Sequence, residues 1–257
     1  MTVDPQAQAF ARVADAYERG RPTYVPAAVE WAAGRLGLDE DSRVLDLAAG
    51  TGKLTELLAD RFGDVVAVEP LDEMRRVLEQ KLPGVMALAG TAQAIPLPDD
   101  AVPAVFTGSA FHWFATAEAL AEIHRVLAPG GGLVLLWNRP DRTAPRQPWQ
   151  DELTEVTDRH RVAEAPGTRL GRSGAWKDVL DESPLFGLAE EASFPFEHRL
   201  TRDQLVDQLA SRSWLAALPP AAFERALADI RRVLEARGVD SVELPYRTEV
   251  YCSTAVA

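Results

Sequence analysis

The sequence has few residues of the kinds that hold disulfides, metals or nucleic acids. It contains one cysteine, Cys252, and its 39 acidic residues outnumber 27 lysines and arginines, for a formal net charge of −12. One cysteine excludes an internal disulfide and fits a reducing cytoplasm. The acidic balance argues against a nucleic-acid partner, because neutralising phosphates requires a basic surface. The four histidines have no cysteine or carboxylate at ligand spacing, so no metal site is expected.

Long apolar segments are also missing. No run approaches the roughly 20 residues of a membrane-spanning helix, and residues 1–20 lack the apolar core of a secretory signal peptide. We therefore expect a cytoplasmic protein with no membrane partner, as a monomer or a homodimer. At 257 residues the chain is long enough to bury a full core in one domain.

Short apolar strands alternate with amphipathic helices from residue 41 onward. Strands that are apolar on both faces are typical of a parallel sheet covered by helices. After Asn138 the chain becomes rich in Pro, Arg and Trp, and strand patterns return at 188–200 and 241–253. The predicted fold class is α/β: a doubly wound, Rossmann-like, mostly parallel seven-stranded sheet with an antiparallel last strand, plus helical cap elements.

The stretch VLDLAAGTGKLT, residues 44–55, runs from a strand through a glycine-bearing loop into a helix. It does not fit the nicotinamide fingerprint, which needs glycines at the first, third and sixth positions of the turn. Starting at Gly50 or at Ala48 places Thr55 or Lys53 where the third glycine should stand. Instead, an acidic residue is followed by small residues at alternating positions: Asp46, Ala48, Gly50 and Gly52. Small residues let the main chain approach a ligand closely, and we expect Ala48 to make the turn at negative φ.

Glu69 ends the next strand pattern, VVAVE. Cofactors in open α/β sheets lie at the carboxyl ends of the strands. A carboxylate there accepts both hydroxyl hydrogens of a ribose. The alternative interpretation is an exposed glutamate at a strand end.

Six segments occur in order and at suitable separations: VLDLAAGTGKLT, VVAVEP with Met74, GTAQAIPLPD, SAFHWF, EIHRVLAPGG and LVLLWN. Together they resemble the class I S-adenosylmethionine-dependent methyltransferases, closest to a small-molecule branch with trans-aconitate-type and ubiquinone/menaquinone-type enzymes. The resemblance covers residues 8–138 and continues only as two weaker tail signatures, SRSWLAALP and LPYRTEVY. It implies S-adenosylmethionine as cofactor and a small-molecule substrate.

The resemblance implies one methyltransferase domain over residues 1–257, with a division of labour along the chain. Residues 1–40 would form an N-terminal helical lid and 41–138 the cofactor-binding core. Cap or substrate elements would occupy 139–187 and 201–238, and the final strands 188–200 and 241–253.

Roles for single residues follow from the same resemblance. Asp46, with the backbone of Ala48 and Gly50, would hold the methionine amino group and sulfonium end, and Glu69 the ribose. Further cofactor contacts are implied for Tyr17, Arg21, Gly52, Pro70, Met74, Thr91, Ala92, Gln93, Ser109 and Ala110. Thr91 stands where many relatives have an aspartate, so the contact to the adenine amino group would shift to a weaker hydroxyl or backbone acceptor.

We expect SAFHWF to form part of the wall of the pocket that binds the methyl acceptor. Its aromatic rings follow the fourth strand. Within it, Phe111, His112 and Trp113 are predicted to bind substrate, together with Tyr24 and Arg139. His112 is the predicted catalytic residue, as general base or hydrogen-bond donor; structural packing is the alternative. In YERGRPTY, Arg21 would pair with the methionine carboxylate or with an acidic substrate.

Three other functions compete with small-molecule methyl transfer. The same cofactor site would serve a cyclase or decarboxylase in which the sulfonium acts as a fixed charge. A regulatory protein that senses the cofactor is a different class, although it would not need an aromatic second cavity. A nicotinamide oxidoreductase is disfavoured by the glycine register.

Overall fold

The computed structural model describes residues 13–161 and 174–256. Its strands are β1 (Arg43–Leu47), β2 (Asp64–Val68), β3 (Met86–Leu88), β4 (Val102–Gly108), β5 (Leu127–Pro140), β6 (Glu190–Thr201) and β7 (Ser241–Thr254). The helices are α1 (Ala14–Gly20), α2 (Pro26–Leu36), α3 (Lys53–Arg61), α4 (Asp72–Lys81), α5 (Ala117–Val126), α6 (Pro148–Arg159), α7 (Ala175–Asp181), α8 (Arg202–Ala210), α9 (Ser213–Ala216) and α10 (Pro220–Ala236).

All seven strands form one sheet in the order β3-β2-β1-β4-β5-β7-β6. The first five run parallel, whereas β7 is antiparallel to both β5 and β6. The predicted mostly parallel, seven-stranded sheet with an antiparallel last strand is therefore confirmed. Because the order reverses between β1 and β4, the carboxyl ends of these two strands flank the crevice in which such sheets bind ligands.

Local signals set the helix boundaries. Pro26 occupies the first turn of α2, and Gly37 ends that helix in the left-handed conformation at φ 64°. The Thr116 side chain accepts a hydrogen bond from the Ala119 N–H and so caps α5. Helix α5 ends at Val126, and β5 begins at the next residue, several residues before the predicted strand LVLLWN.

Buried apolar residues form three clusters. One lies on the sheet face covered by α5 and α7 and includes Phe111 and Trp176. A second lies on the opposite face against α2 and α3. The third joins α6, α8 and α10 around residues such as Leu209 and Ile230, and it includes Leu200 near the end of β6. Helices α6, α8 and α10 thus share a small core at the β6–β7 edge of the sheet.

One predicted boundary differs from this packing. Helix α7 falls within the cap segment predicted at 139–187, yet its Trp176 and Leu180 belong to the sheet cluster. The Trp176 ring stacks on Trp137 of β5, with centroids 4.2 Å apart. Residues 1–12 of the predicted lid and 162–173 of the predicted cap lie outside the described residues. No helix of the described ranges is long and apolar enough to cross a membrane.

Candidate active site

The loop between β1 and α3 has an unusual backbone. Ala48, Gly50 and Gly52 adopt φ values of 58°, 59° and 82°, so every second residue is left-handed. The expectation that Ala48 turns at negative φ is wrong. A side chain in this region costs roughly 1–2 kcal/mol, and such strain persists only where the surrounding structure enforces it. The hydrogen bonds of Ala49 N–H to Val68 and of Gly52 N–H to Ala49 hold this turn.

The two glycines of the loop serve different purposes. A side chain at Gly52 would strike the Leu78 side chain of α4 at 2.9 Å, so this glycine allows helix α3 to pack closely. At Gly50 a side chain would meet no atom within 4 Å. The space above Gly50 is open, and its backbone faces the crevice. A ligand can therefore approach the main chain there without displacing protein.

Asp46 lies at the carboxyl end of β1 and is fully buried. Its Oδ2 accepts a hydrogen bond from the Thr55 hydroxyl at 2.6 Å, while its buried Oδ1 has no partner among the described residues. Burial raises the pKa of this carboxyl to about 7, and the charge of Glu69 contributes in the same direction. A buried oxygen without a partner is costly, and an ammonium group would satisfy it.

Glu69 follows β2 at the same edge of the sheet, since Leu47 pairs with Val68 in the sheet register. Its carboxylate is 5% exposed and accepts the Gly50 N–H at 2.8 Å and the Leu71 N–H at 2.9 Å. Burial raises its pKa to about 7. Each oxygen keeps a second lone pair, so the group remains able to accept two hydroxyl hydrogens.

The residues predicted to contact adenine follow β2 and β3 in the chain. Pro70 directly follows Glu69, Met74 of α4 is buried, and Gln93 is partly buried. Ala92 packs into the sheet cluster. The Thr91 hydroxyl is buried without a hydrogen-bond partner among the described residues, which fits the expected hydroxyl acceptor for an amino group.

Helix α1 is fastened onto this loop through Glu18, a residue that the sequence patterns did not single out. One carboxylate oxygen accepts the Thr51 hydroxyl at 2.5 Å, and the other pairs with Lys81 at 2.8 Å and with Lys53 at 3.6 Å. Gly20, at the end of α1, lies against the backbone of Gln208 in α8 and leaves no room for a side chain. Helix α1 thus lies over the cofactor loop, and its role as a lid stays a prediction.

A cavity of about 220 Å³, here called the inner cavity, opens beside this loop at the carboxyl ends of β4 and β5. Its main lining residues are Tyr17, Arg21, Tyr24, Ser109, Arg212 and Tyr246. The Tyr24 hydroxyl donates to Ser109 Oγ at 3.0 Å. Burial raises the pKa of both Tyr17 and Tyr24, and both respond to the charge of Asp46. The inner cavity therefore adjoins the buried carboxylate.

A second cavity of about 480 Å³, the outer cavity, extends from the inner one beneath the cap helices. Its walls include Trp149, Leu153, Leu205, Leu244, Arg212 and Tyr246. Four residues line both cavities: Pro140, Gln208, Arg212 and Tyr246. A volume of this size is within the roughly 300–1,000 Å³ of small-molecule sites.

Ser109 and Ala110, predicted beneath the methionine end, directly follow β4. Ser109 is left-handed at φ 56°, and its N–H donates to the Leu136 carbonyl at 2.7 Å. Gly108 precedes them, and a side chain there would meet the Tyr24 ring. The absence of that side chain lets Tyr24 lie directly on the strand end.

The aromatic segment after β4 divides between core and surface. Phe111 is fully buried, and its ring packs edge-on against Phe114 and Trp176 at 5.5 and 6.1 Å. The prediction that Phe111 forms a substrate wall is corrected by this packing, since its ring belongs to the sheet core. Trp113 and His112 are partly buried, with ring centroids 4.8 Å apart.

His112 has a buried Nδ1 without a hydrogen-bond partner among the described residues. Desolvation lowers its pKa to about 4, and the positive charge of Arg139 adds to that effect. The ring is therefore neutral at neutral pH. Its role as catalytic base or hydrogen-bond donor stays a prediction.

Arg139 was predicted to bind substrate, but its side chain is engaged elsewhere. Its Nε donates to Glu249 of β7 at 3.0 Å, and its guanidinium lies over the Trp137 ring. Because side chains alternate along a strand, the neighbours Asn138 and Pro140 line the inner cavity while Arg139 faces the other side. This prediction is corrected: Arg139 stands beside His112 and is not in the wall of either cavity.

The residues at 13–161 and 174–256 contain no cluster of three or more His, Cys, Asp or Glu side chains able to hold a metal ion. The site consists of two buried carboxylates, backbone donors, tyrosines and arginines. Its orphaned Asp46 oxygen and Thr91 hydroxyl, with the open space over Gly50, fit a ligand that carries an ammonium group, a ribose and a purine amino group.

Comparison with known proteins agrees with this geometry. The methyltransferase domain family matches residues 45–135. An uncharacterised methyltransferase of Mycobacterium tuberculosis is 39% identical over 247 residues, 93% of this chain and 92% of that protein. A demethylmenaquinone methyltransferase of Thermus thermophilus is 44% identical over 101 residues, 37% of this chain and 46% of that protein.

Among solved structures, a candidate type II methyltransferase of Anaeromyxobacter dehalogenans matches with a TM-score of 0.66 at 22% identity, over 90% of this chain and 97% of that chain. At this identity the likeness shows the shared fold alone. The match at 39% identity over 93% of this chain shows membership of the family. The chain belongs to the methyltransferase family, and it is an S-adenosylmethionine-dependent enzyme.

Proposed function

We propose that the protein transfers the methyl group of S-adenosylmethionine to a small-molecule acceptor bound in the inner and outer cavities. The observation that carries this proposal is the position of the inner cavity. It opens at the carboxyl ends of β4 and β5, beside the strand β1 that carries Asp46, and α1 and α8 cover it. An enclosed space next to the cofactor loop suits a small acceptor better than a protein or nucleic-acid surface.

The cofactor supplies an electrophilic methyl group. Asp46 and Glu69 would hold its ammonium and ribose groups, and the residues named above at 70, 74 and 91–93 its adenine. The protein's main task is then placement in a cavity from which water is excluded. Holding the nucleophile in line contributes an effective molarity equivalent to roughly 7 kcal/mol.

The same proposal assigns parts of the chain to the two substrates. The segment up to residue 40 serves as lid, residues 41–138 hold the cofactor, and the cap helices of 139–161 and 201–238 enclose the acceptor. The third hydrophobic cluster supports this assignment, because it packs the cap helices α6, α8 and α10 against one another. A menaquinone-type or trans-aconitate-type acceptor is the finer form of the proposal. Its support is a partial match that covers the cofactor core and not the cap.

The first test separates the cofactor site from its competitors. S-adenosylhomocysteine should raise the melting temperature, because a ligand that binds only the native state stabilises it, whereas NADH should not. Transfer of a labelled methyl group to small molecules, followed by mass analysis, then distinguishes methyl transfer from cyclisation or decarboxylation. Binding of the cofactor with no labelled product from any small-molecule pool would support the sensor instead.

A further inference from the structure

The four residues shared by the two cavities form what we call the junction: Pro140, Gln208, Arg212 and Tyr246. The two tail signatures meet here. SRSWLAALP contributes Arg212, and LPYRTEVY contributes Tyr246. Neither signature takes part in the cofactor contacts described above. The junction thus belongs to the acceptor side of the site.

Arg212 carries a charge that the described part of the chain leaves unpaired. Its side chain is exposed to the cavities that it lines, yet the protein around it desolvates the guanidinium and lowers its pKa. No carboxylate of the described residues lies within 4 Å of it: nearby Asp158 instead pairs with Arg161, at 3.8 Å. The exposed part of Arg212 therefore borders both cavities.

Arg21 brings a second cation to the same place. Its Nε donates to Ser211 Oγ at 2.8 Å and its Nη2 to the Ser211 carbonyl at 2.9 Å. These bonds fix the guanidinium beside Arg212 and leave the N–H groups of Nη1 available for a ligand. The charge of Arg21 further lowers the pKa of Arg212. Two like charges in one enclosed space are destabilising unless an anion joins them.

Tyr246 adds a hydrogen-bond donor at the junction. Tyr246 accepts a hydrogen bond from Gln208 Nε2 at 3.1 Å, and its own hydroxyl proton has no acceptor among the described residues. Of the residues lining the two cavities, Asp141 is the acidic one, and it is paired with Arg247 at 2.9 Å. In a chain with net charge −12, the junction is a local excess of positive charge.

One part of the outer cavity wall, formed by leucines and a tryptophan, is apolar. Leu153, Leu205 and Leu209 are buried cap residues that line it, and the Trp149 ring closes one side. A ligand that fills both regions needs an anionic group at the junction and an apolar body beyond it. Neutral or cationic molecules would leave the guanidinium groups without a partner.

We propose that Arg212, together with Tyr246 and the free edge of Arg21, binds the carboxylate of an acidic acceptor whose apolar body lies in the outer cavity. This inference rests on the proposed methyl transfer to a small molecule. Guanidinium groups match carboxylates in a two-point geometry. Arg212 is then the residue that selects acidic acceptors over their neutral analogues.

The experiment compares two carboxylates with their neutral amides. Phenylacetate and hexanoate, and then phenylacetamide and hexanamide, are titrated calorimetrically into protein saturated with S-adenosylhomocysteine. We expect both acids to bind at millimolar concentration or better and both amides to bind at least tenfold more weakly. Arg212→Gln should weaken the acids by about 10- to 100-fold, the loss expected for charge-assisted hydrogen bonds, and Arg212→Lys should restore part of it.

Two controls keep the result specific. Arg146→Gln removes the same charge from the outer cavity, but Arg146 is already paired with Asp151 at 2.7 Å, so acid binding should stay unchanged. S-adenosylhomocysteine affinity should be equal in all variants. Equal binding of acids and amides, no binding of either acid, or an equal loss in Arg146→Gln would overturn the proposal. Failure of S-adenosylhomocysteine to bind the unaltered protein would instead overturn the cofactor site itself.

Discussion

The two halves of the site are electrostatic opposites. On the cofactor side, Asp46 and Glu69 are buried carboxylates, and neither has a lysine or arginine within salt-bridge distance in the described chain. On the acceptor side, Arg21 and Arg212 are cations without a carboxylate partner among the same residues. Each half therefore contains unpaired charges that a ligand group of opposite sign would neutralise. This arrangement suits the proposed pairing of a cationic methyl donor with an anionic acceptor.

The halves also differ in how the chain builds them. The cofactor side comes from adjacent strands, and the hydrogen bond from Gly50 to Glu69 joins residues 19 positions apart. The acceptor side joins α1 to the tail, since Arg21 and Ser211 are 190 positions apart. A site built from neighbouring strands has its geometry fixed by sheet register. A site built from distant helices depends on how the cap packs.

The largest expected effect is on the carboxylate side. Glu69→Ala removes the proposed acceptor of two ribose hydroxyls, a loss of roughly 1.5–3 kcal/mol, so the affinity for S-adenosylhomocysteine should fall by about 10- to 100-fold. Calorimetric titration measures it, with circular dichroism to verify folding. The matched control is Glu79→Ala, because Glu79 is an exposed glutamate on α4. This variant should bind S-adenosylhomocysteine with unchanged affinity. An unchanged dissociation constant for Glu69→Ala would end its ribose role.

The pH dependence of cofactor binding tests the same half without a mutation. The pKa values of Asp46 and Glu69 are raised to about 7, so both hold protons in the free protein at pH 6. A cationic ligand requires the carboxylates, and binding must release protons. Affinity should therefore rise with pH and level off above about 7, by about tenfold from pH 6 to 8 for each proton released. Titration in buffers of different ionisation enthalpy counts those protons; a flat profile would contradict the raised pKa values.

His112 lies outside both halves, and its variant sharpens the contrast between them. With a pKa of about 4, this imidazole is a weak base, so His112→Ala should lower turnover several-fold and leave cofactor affinity unchanged. If the ring acts as the base, turnover of the unaltered enzyme should fall on the acid side only near pH 4, and this fall should vanish in the variant. If His112→Ala loses cofactor affinity while turnover of the saturated enzyme is unchanged, His112 contacts the cofactor and not the methyl acceptor.

The smallest effect concerns the strained loop. Ala48→Gly relieves a left-handed alanine at φ 58° but gives the unfolded chain more freedom, for a net gain in the free energy of unfolding of roughly 0.5–1 kcal/mol. Ala49 is the matched control, since it is not left-handed and Ala49→Gly should be destabilising. Chemical denaturation measures both. Equal destabilisation by the two changes would mean that Ala48 is not strained.

Much of the cofactor half follows from local patterns. The strands, the alternating small residues and Glu69 each lie in a short segment. The periodicity and turn residues of each segment predict its structure without reference to the others. Parallel strands place their carboxyl ends on one edge, so the strand pattern alone predicts that Asp46 and Glu69 lie close together. The left-handed Ala48 was not predictable, because only the surrounding hydrogen bonds hold an alanine there.

The acceptor half was predicted less well. SAFHWF suggested a wall of rings, yet Phe111 belongs to the core, because burial of an aromatic ring depends on what packs against it. Arg139 points away from the cavities, since its side of β5 was set by pairing with β7. Arg212 and Glu18 were missed altogether. Neither belongs to a pattern with a period or a fixed spacing.

The amino-acid sequence by itself determined the sheet, its cofactor loop and the family, because these depend on contacts between near neighbours in the chain. Only the tertiary structure decided which cations line the cavities without a carboxylate partner. Whether an arginine is solvated, paired or held unpaired in a cavity depends on groups brought from distant segments: Arg21 is fixed by Ser211, and Arg146 is neutralised by Asp151. Charge in a sequence is a count, whereas an unpaired charge is a property of the packed molecule.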